Sequence, residues 1–550
     1  MSGPERIASH MRTLLQELSS PVLDRQLSLL FPGDMRSWIA QQRSYAFECT
    51  RLLNHLHNTT APVYRLPTEA LVNIFAIAIT LPGSYTRELV LLTHVCHWWR
   101  DVALGASTLW TRIDPTCYCR LFLERSGNAP LSLDWYQEDI FSRVVTTIQP
   151  HILRFTSIKL TCRMKALKTF LGLLERYPPP MLQAVYLTCC GGYQIPEEPS
   201  IAFPTHGGSL GFSLASLTLI GLFICWESPI YDKLKHLHLI AESAIQPVPS
   251  MNVLLDVLER SPDLVTFRML WRGPSLATLA TTYLEPRHTV ELARCRSIEL
   301  QFPGIADVAH LLAHLRLPEF THITISHINS TPIRDELLNI LPRNPDLKPS
   351  NAVTQLQLRC ANSDDVYNVS ASGNGDHTGS VRITVWNVSY SVEHLLNAAS
   401  IFASSPIEHF SYEGSIDAIE AKYWRTTFAH LPQLKTLEVG NCSPKQWDAW
   451  RRSFSYKPDA NHVLDALLHS VDYDSLLLPA LKELVLRGCL LSDDSVDYLN
   501  KVLSKRQLAR IPISHLRLLD CQDKSTSLRS ILSEDASVSG CQIIILGLEN

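Results

Sequence analysis

The chain has 550 residues, of which 46% are hydrophobic and 19% are charged, and its formal net charge is −4. A single hydrophobic core stops growing near ~250–300 residues, so this length predicts several domains or a solenoid that extends by adding units. The small net charge gives no basic footprint, so we expect no nucleic acid and no anionic membrane surface as the main partner.

The N-terminal residues and the cysteines predict a protein of the cytoplasm or the nucleus. The first ten residues, MSGPERIASH, lack the apolar core of a secretory signal, and no apolar run reaches the ~20 residues that span a bilayer. The 14 cysteines are therefore expected to be reduced thiols. We expect no membrane partner.

Residues 1–62 are predicted to form an N-terminal helical hairpin. Apolar side chains recur at helical spacing on both sides of a break at Phe31-Pro32-Gly33-Asp34. The two stripes are Ile7, Met11, Leu14 and Leu18, then Trp38, Tyr45, Leu52 and Leu56. Each stripe must be buried against the other or against a neighbour. A coiled-coil dimer is the alternative, but sustained heptads are missing.

Residues 63–115 are predicted to be a compact helical domain. Pro67 opens a helix as its first residue, Glu69 favours the helix dipole, and apolar residues continue to Ile79. After a break at residues 81–84, a single continuous second helix is predicted from about Arg87. Its apolar stripe is Leu89, Leu92, Val95, Cys96, Trp99, Val102 and Ala103, and Leu109-Trp110 closes the segment.

From Asn128 onward, a motif of the form apolar-x-x-apolar-x-apolar recurs. Its middle residues are often ~27 positions apart, and this motif and period are the signature of leucine-rich repeats. The clear copies have as middle residues Leu217, Leu237, Phe267, Ile323, Leu356, Phe410, Leu437, Leu484 and Leu516. Weaker copies occur around Leu131, Ile158, Val185, Ile298, Ile383 and Ile543.

These repeats predict an α/β solenoid over residues 116–550, an irregular horseshoe with parallel strands on its inner curve and helices outside. Amphipathic segments such as 253–260 and 308–315 supply the helices. The motif residues fill the core, while intervening residues such as Lys435, Glu438 and Lys482 face solvent. That surface can be adapted to bind a partner.

Few segments suggest catalysis or metal binding. Residues 207–211 match G-x-S-x-G, but a proline-rich loop precedes them where a nucleophile elbow needs a strand. On a continuous helix, Cys96 would point away from His94 and His97, which argues against a metal site. Residues 370–380 look like a flexible insertion, and the tryptophans at 135, 226, 271, 386, 424, 447 and 450 look like packing residues. We expect no metal, no cofactor and no enzymatic activity.

Residues 65–114 resemble an F-box. The resemblance rests on Leu-Pro followed by an acidic residue, on a leucine–isoleucine–phenylalanine helix, on Val-Cys-x-x-Trp and on a final Leu-Trp. This chain supplies Leu66-Pro67, Glu69, Leu71, Ile74-Phe75, Val95-Cys96, Trp99 and Leu109-Trp110. With the helices before it and the repeats after it, the chain is similar to F-box-like proteins of mushroom-forming fungi.

The resemblance implies that the chain is a substrate adaptor of a cullin–RING (SCF-type) ubiquitin ligase and is not itself an enzyme. The F-box-like domain would bind a Skp-type adaptor, and the repeats would bind an unknown target protein. The implied partner-binding residues are Leu66, Pro67, Leu71, Ile74, Phe75, Val95, Trp99, Leu109 and Trp110. The alternatives are a leucine-rich-repeat scaffold without a ubiquitin-ligase role and an inert helical cap for the first repeat.

Overall fold

The computed structural model divides the chain into two compact units, residues 1–112 with 116–129 and residues 113–115 with 130–550. Its description covers residues 32–80, 85–114, 118–136, 141–190, 200–201, 214–241, 249–271, 289–302, 305–328, 341, 353–361, 366–374, 378–386, 398–414, 416–417, 419–440, 458–468, 476–525 and 541–546, and scattered positions before residue 32.

The described part of the first unit is helical. It consists of α1 (Pro32–Thr59), α2 (Thr68–Ala78), α3 (Tyr85–Leu92), α4 (His97–Gly105) and α5 (Cys119–Arg125), with short 3₁₀ helices at Pro62–Arg65 and Ser107–Trp110. Helix α1 begins at the predicted break. Most of the predicted first helix of the hairpin lies outside the described residues.

The second unit is dominated by one large mixed sheet, and three two-stranded sheets accompany it. In chain order the strands are β1 (Arg112–Ile113), β2 (Leu131–Trp135), β3 (Phe155–Cys162), β4 (Ala184–Cys189), β5 (Ser200–Ile201), β6 (Ser216–Ile220), β7 (Phe223–Ile224), β8 (His236–Ala241), β9 (Thr266–Trp271), β10 (Val290–Glu291), β11 (Ser297–Gln301), β12 (Leu315–Arg316), β13 (His322–Ile328), β14 (Gln355–Ala361), β15 (Val366–Ser372), β16 (Ser380–Trp386), β17 (His409–Glu413), β18 (Thr436–Gly440), β19 (Glu483–Arg487), β20 (Leu490–Leu491), β21 (His515–Leu519), β22 (Gln522–Asp523) and β23 (Gln542–Leu546).

Helices and 3₁₀ turns separate many of these strands. The helices are α6 (Phe141–Ile148), α7 (Met164–Arg176), α8 (Met251–Glu259), α9 (Ile305–Ala313), α10 (Ala421–Ala429), α11 (Asn461–Leu468) and α12 (Asp493–Leu508). The 3₁₀ turns are Gln149–Arg154, Pro229–Tyr231 and Ala398–Phe402. Among the helices of the described residues, none combines the length and the apolar character needed to cross a membrane.

Motif residues of the predicted repeats lie in register along the large sheet. Leu437 of β18 pairs with Leu484 of β19, and Leu484 pairs with Leu516 of β21. These three leucines are completely buried. In β18 and β21 the residues on either side of the motif leucine are more exposed than it is, as a strand with one buried face requires, whereas in β19 Val485 is buried as well. The predicted strand positions are therefore confirmed, in both the clear and the weak copies of the motif.

The order of three strands differs from the regular stacking that the sequence predicts. From β2 the order in the sheet is β2, β3, β4, β6, β8, β9, β11, β13, β16, β15, β14, β17, β18, β19, β21 and β23. All of these pairings are parallel except those of β15, which is antiparallel to β14 and to β16.

The predicted insertion at residues 370–380 is thus wrong in its outer parts. Ser370 and Ser372 belong to β15, and Ser380 begins β16. Val369 and Ala371 point into the core, so β15 has the buried face that a flexible insertion would lack. Residues 375–377 lie outside the described ranges.

Candidate functional site

The core of residues 63–114 is an aromatic contact between α2 and α4. The ring centroids of Phe75 and Trp99 are 4.9 Å apart, and Phe75 is completely buried together with Leu71. Pro67 occupies the N-cap of α2, so the helix begins at Thr68, one position after the start at Pro67 that the sequence predicts. Its carbonyl accepts a hydrogen bond from the amide of Leu71. The start of α2 is therefore fixed by backbone bonding.

The single second helix that the sequence predicts is wrong, because the chain forms two helices, α3 and α4. Cys96 has an extended backbone between them, and its sulfur accepts a hydrogen bond from the amide of Trp99 at 3.4 Å. The thiol thus acts as the N-cap of α4. The side chain of His97 instead pairs with Asp101 at 2.8 Å. Within the described ranges, no cluster of His, Cys, Asp or Glu could hold a metal ion.

Trp110, which follows the aromatic contact in the sequence, packs against the last helix of the first unit. Its Nε1 donates to the carbonyl of Ala103 at 2.7 Å, and its ring lies 4.9 Å from that of Phe122. The guanidinium of Arg125 lies 4.4 Å from the ring centroid of Trp110. Helix α5 therefore contributes to the first unit, although the sequence assigned it to the repeats. Its apolar spacing at Cys119, Phe122 and Leu123 was the available signal.

Burial divides the nine predicted partner-binding residues into two groups. Leu71, Phe75, Leu109 and Trp110 are at most 2% exposed, so direct contact of these four with a partner does not fit the structure. They hold the helices together. The side chains that remain accessible are Leu66, Pro67, Ile74, Val95 and Trp99.

Helices α2 and α3 carry two further exposed apolar residues, which the sequence did not predict to bind a partner. Ile77 is 68% exposed on α2, three positions after Ile74, which is 44% exposed. Leu91 is 50% exposed at the end of α3, and Val95, four positions later, is 58% exposed. Their exposure could not be read from the sequence, because they continue the same apolar pattern as the buried residues. We refer to Pro67, Ile74, Ile77, Leu91 and Val95 as the exposed apolar set.

The solvent face of the large sheet carries ion pairs between adjacent strands. Arg268 of β9 lies 3.0 Å from Glu299 of β11, and Arg517 of β21 lies 2.9 Å from Glu483 of β19. Further pairs are Lys159 with Asp134 at 3.8 Å, Arg359 with Glu413 at 3.4 Å and Arg487 with Glu438 at 2.8 Å. This face is therefore polar and largely self-neutralised.

Histidines also occur on this face. Thr266 Oγ1 lies 2.9 Å from Nδ1 of His236 and 3.3 Å from Nε2 of His238. Partial burial, and then the charges of Arg268 and His236, lower the pKa of His238 below its usual value. Elsewhere on the sheet, a cavity of about 320 Å³ opens between β14, β15 and β17–β19, lined by residues that include Gln357, Ser370 and Glu413.

The packing role predicted for the tryptophans is confirmed for Trp135, Trp271 and Trp424, which are at most 1% exposed. The side chains of Trp386, Trp447 and Trp450 lie outside the described residues, as does the G-x-S-x-G match at 207–211. The eleven cysteines whose side chains the structure describes are free thiols.

Comparison with known proteins gives one finding. A family model described as F-box-like matches residues 63–116. A comparison with curated proteins found no match. F-box-like domains are typically adaptor modules rather than enzymes, and they generally bind Skp-type adaptors of ubiquitin ligases.

Proposed function

We propose that this chain is the substrate-recognition subunit of a cullin–RING ubiquitin ligase. The F-box-like match at residues 63–116 carries the proposal, because this domain type generally links a protein to a Skp-type adaptor. Catalysis would then belong to other subunits. The target protein would bind to the second unit of the chain.

The exposed apolar set supports docking through the first unit. Ile74, Ile77, Leu91 and Val95 each leave at least 44% of their surface in contact with solvent. Burial of such side chains against a partner is favourable by ~25 cal/mol per Å² of apolar surface. Several large apolar residues exposed on neighbouring helices of one small unit are typical of an interaction site.

We further propose that residues 130–550 of the second unit are an irregular leucine-rich-repeat solenoid that binds the target. The parallel register of buried motif residues from strand to strand supports this assignment. The solvent-facing positions of the same strands are varied and polar, as a surface adapted to a particular protein would be.

The test is binding of the full chain to a purified Skp-type adaptor. Ile74→Asp combined with Val95→Asp places two charges in the exposed apolar set, and the exposure of both sites leaves the fold intact. We expect the affinity to fall at least ~30-fold, since interface residues of this kind contribute about 2 kcal/mol. Leu153→Asp combined with Met181→Asp is the matched control, at positions 53% and 47% exposed in the second unit.

Two outcomes would contradict the proposal in different ways. Unchanged affinity in the Ile74/Val95 variant would contradict the proposal that the exposed apolar set binds the adaptor. Absence of adaptor binding by the wild-type chain would favour the alternative, a leucine-rich-repeat scaffold without a ubiquitin-ligase role. Mass spectrometry of proteins that accompany the adaptor in a pull-down would then identify candidates for the target.

A further inference from the structure

Strand β16 presents one arginine to solvent in the middle of the large sheet. Val381 and Ile383 point into the core, and Arg382 between them is exposed. Strand β16 pairs in parallel with β13 on one side and antiparallel with β15 on the other. Arg382 therefore lies at the junction between the parallel strands and the antiparallel one.

Among the described residues, Arg382 differs from the other cations of this sheet in having no anionic side chain paired with it. In strands β2–β23 of the large sheet, the other lysines and arginines are residues 159, 268, 359, 487 and 517, and each forms an ion pair with a carboxylate on an adjacent strand. Directly opposite Arg382 are Thr324 on β13 and Ser370 on β15. Throughout the described residues, Arg382 has no ion pair or hydrogen bond of its side chain.

The residues next to Arg382 on this face of the sheet carry short hydroxyl side chains. Thr324 and Ser370 are its cross-strand neighbours, and the Cβ atoms of residues in such positions lie about 5 Å apart. Ser380 and Thr384 lie two residues away on the same face of β16. His322 is held beside them, since its Nδ1 lies 2.9 Å from Oγ of Ser380. The site thus combines one permanent positive charge with neutral hydrogen-bond donors.

We propose that Arg382 and its hydroxyl neighbours bind the carboxylate of an aspartate or glutamate side chain on the target protein. This inference rests on the proposed function, because it places the target on the solvent face of the sheet. A guanidinium binds a carboxylate through two parallel hydrogen bonds, so one Arg382 neutralises one acidic side chain. Phosphorylated segments are usually held by clusters of arginines, and here a single arginine is present among the described neighbours.

The experiment follows the arginine Nε–H signals of the full chain by NMR after selective ¹⁵N-arginine labelling. The probe is the methylamide of N-acetylglutamate, which carries only a side-chain carboxylate, and the methylamide of N-acetylglutamine is the neutral control. The Arg382 signal is assigned by its loss in Arg382→Lys. We expect saturable, millimolar binding of the glutamate probe at Arg382 and shifts at least ~10-fold smaller for the paired Arg268 and Arg517.

Two variants test the surroundings of the guanidinium. Ser370→Ala combined with Thr324→Val should weaken binding of the probe about 3- to 10-fold, since two hydrogen-bond donors are lost. Arg268→Gln combined with Glu299→Gln is the matched control, because it removes a neutralised pair from the same face. That control should leave binding at Arg382 unchanged.

Equal shifts of Arg382 and of the exposed Arg176 on α7 would overturn the proposal, because they would show non-selective association. Binding of the methylamide of N-acetylphosphoserine more than 10-fold tighter than the glutamate probe would overturn the choice of a carboxylate. Binding of the Skp-type adaptor by Arg382→Gln is measured in parallel. If this variant still binds the adaptor, a negative result with the glutamate probe contradicts only the carboxylate site and leaves the proposed ligase role standing.

Discussion

At the scale of single residues, His238 makes the stability of the folded chain depend on pH. Its pKa is lowered by partial burial and then by Arg268 and His236. A histidine with a folded-state pKa below its unfolded value binds fewer protons when the chain is folded. Its contribution to stability is therefore complete above the unfolded pKa, near ~6.5, and is lost as the pH falls through the folded pKa.

We predict that NMR titration of His238 gives a pKa below ~6.5 and that Arg268→Gln raises it. The variant removes a nearby cation and leaves Glu299 without its partner, and both changes favour the protonated imidazole. Arg382→Gln is the control, because four strand spacings of about 4.8 Å separate β16 from β8, well beyond the screening length. A pKa unaffected by Arg268→Gln would show that the charge of Arg268 does not contribute to the lowered pKa.

Another residue-scale feature is the buried Arg506 of α12. It is completely buried and donates to the carbonyl of Leu477 at 3.0 Å and to that of Leu478 at 2.6 Å. Burial lowers its pKa to about 10. Leu478 has a φ of 54°, in the left-handed region that costs a leucine energy. The two bonds from Arg506 hold the chain in this conformation.

At the scale of elements, two glycines test how closely the strands and helices pack. A Cβ on Gly440 of β18 would lie 2.5 Å from the carbonyl oxygen of Arg487 on β19, whereas a Cβ on Gly172 of α7 would meet nothing within 4 Å. We predict that Gly440→Ala destabilises the chain by about 1–3 kcal/mol through overpacking. Gly172→Ala should stabilise it by about 0.5–1 kcal/mol, since glycine is unfavourable inside a helix.

Urea unfolding followed by circular dichroism measures both variants. Similar midpoints for Gly440→Ala and the wild type would mean that β18 and β19 can separate enough to admit a methyl group. A lower midpoint for Gly172→Ala would show that α7 has a neighbour on that side.

Element by element, the sequence predicted strands better than their connections. The motif around Leu437 has the alternating apolar residues of a half-buried strand, and the motif around Leu484 is a short apolar run bounded by polar residues. Strand β15 was missed because its apolar residues are few and its serines resemble a loop. The division at Cys96 was missed because the apolar spacing from Leu92 through Trp99 continues without interruption across the cap.

At the scale of the whole molecule, protection of the sheet should fall toward β23. In the described residues this strand pairs with β21 alone, and its Ile545 and Leu546 are 38% and 60% exposed. We predict that amides of β23 exchange with deuterium at least ~10-fold faster than those of β18, which has a partner strand on each side. Equal protection would show that another segment covers this edge.

The spatial order of strands was beyond prediction from the sequence. The steps from Leu356 to Ile383 and from Ile383 to Phe410 both equal the repeat period, which favours three neighbouring strands. Instead Ile383 pairs with Ile325 of β13, and Leu356 pairs with Phe410 of β17. Local spacing is the same in both arrangements, so the choice between them depends on contacts between residues distant in sequence. The exposure of the exposed apolar set could not be predicted for a similar reason, because burial also depends on contacts between residues distant in sequence.

The reversed order of β14, β15 and β16 limits how this protein can gain or lose length. Elsewhere a repeat could be deleted and its two neighbouring strands would still pair in parallel. Loss of β15 alone, however, would remove the strand that links β14 to β16, and the loops on either side of it would no longer connect the two strands as they do now. Only the block between β13 and β17 can be excised as a whole, after which Ile323 would stand opposite Phe410. In evolution or engineering, Arg382 would therefore be inherited or discarded together with all three strands.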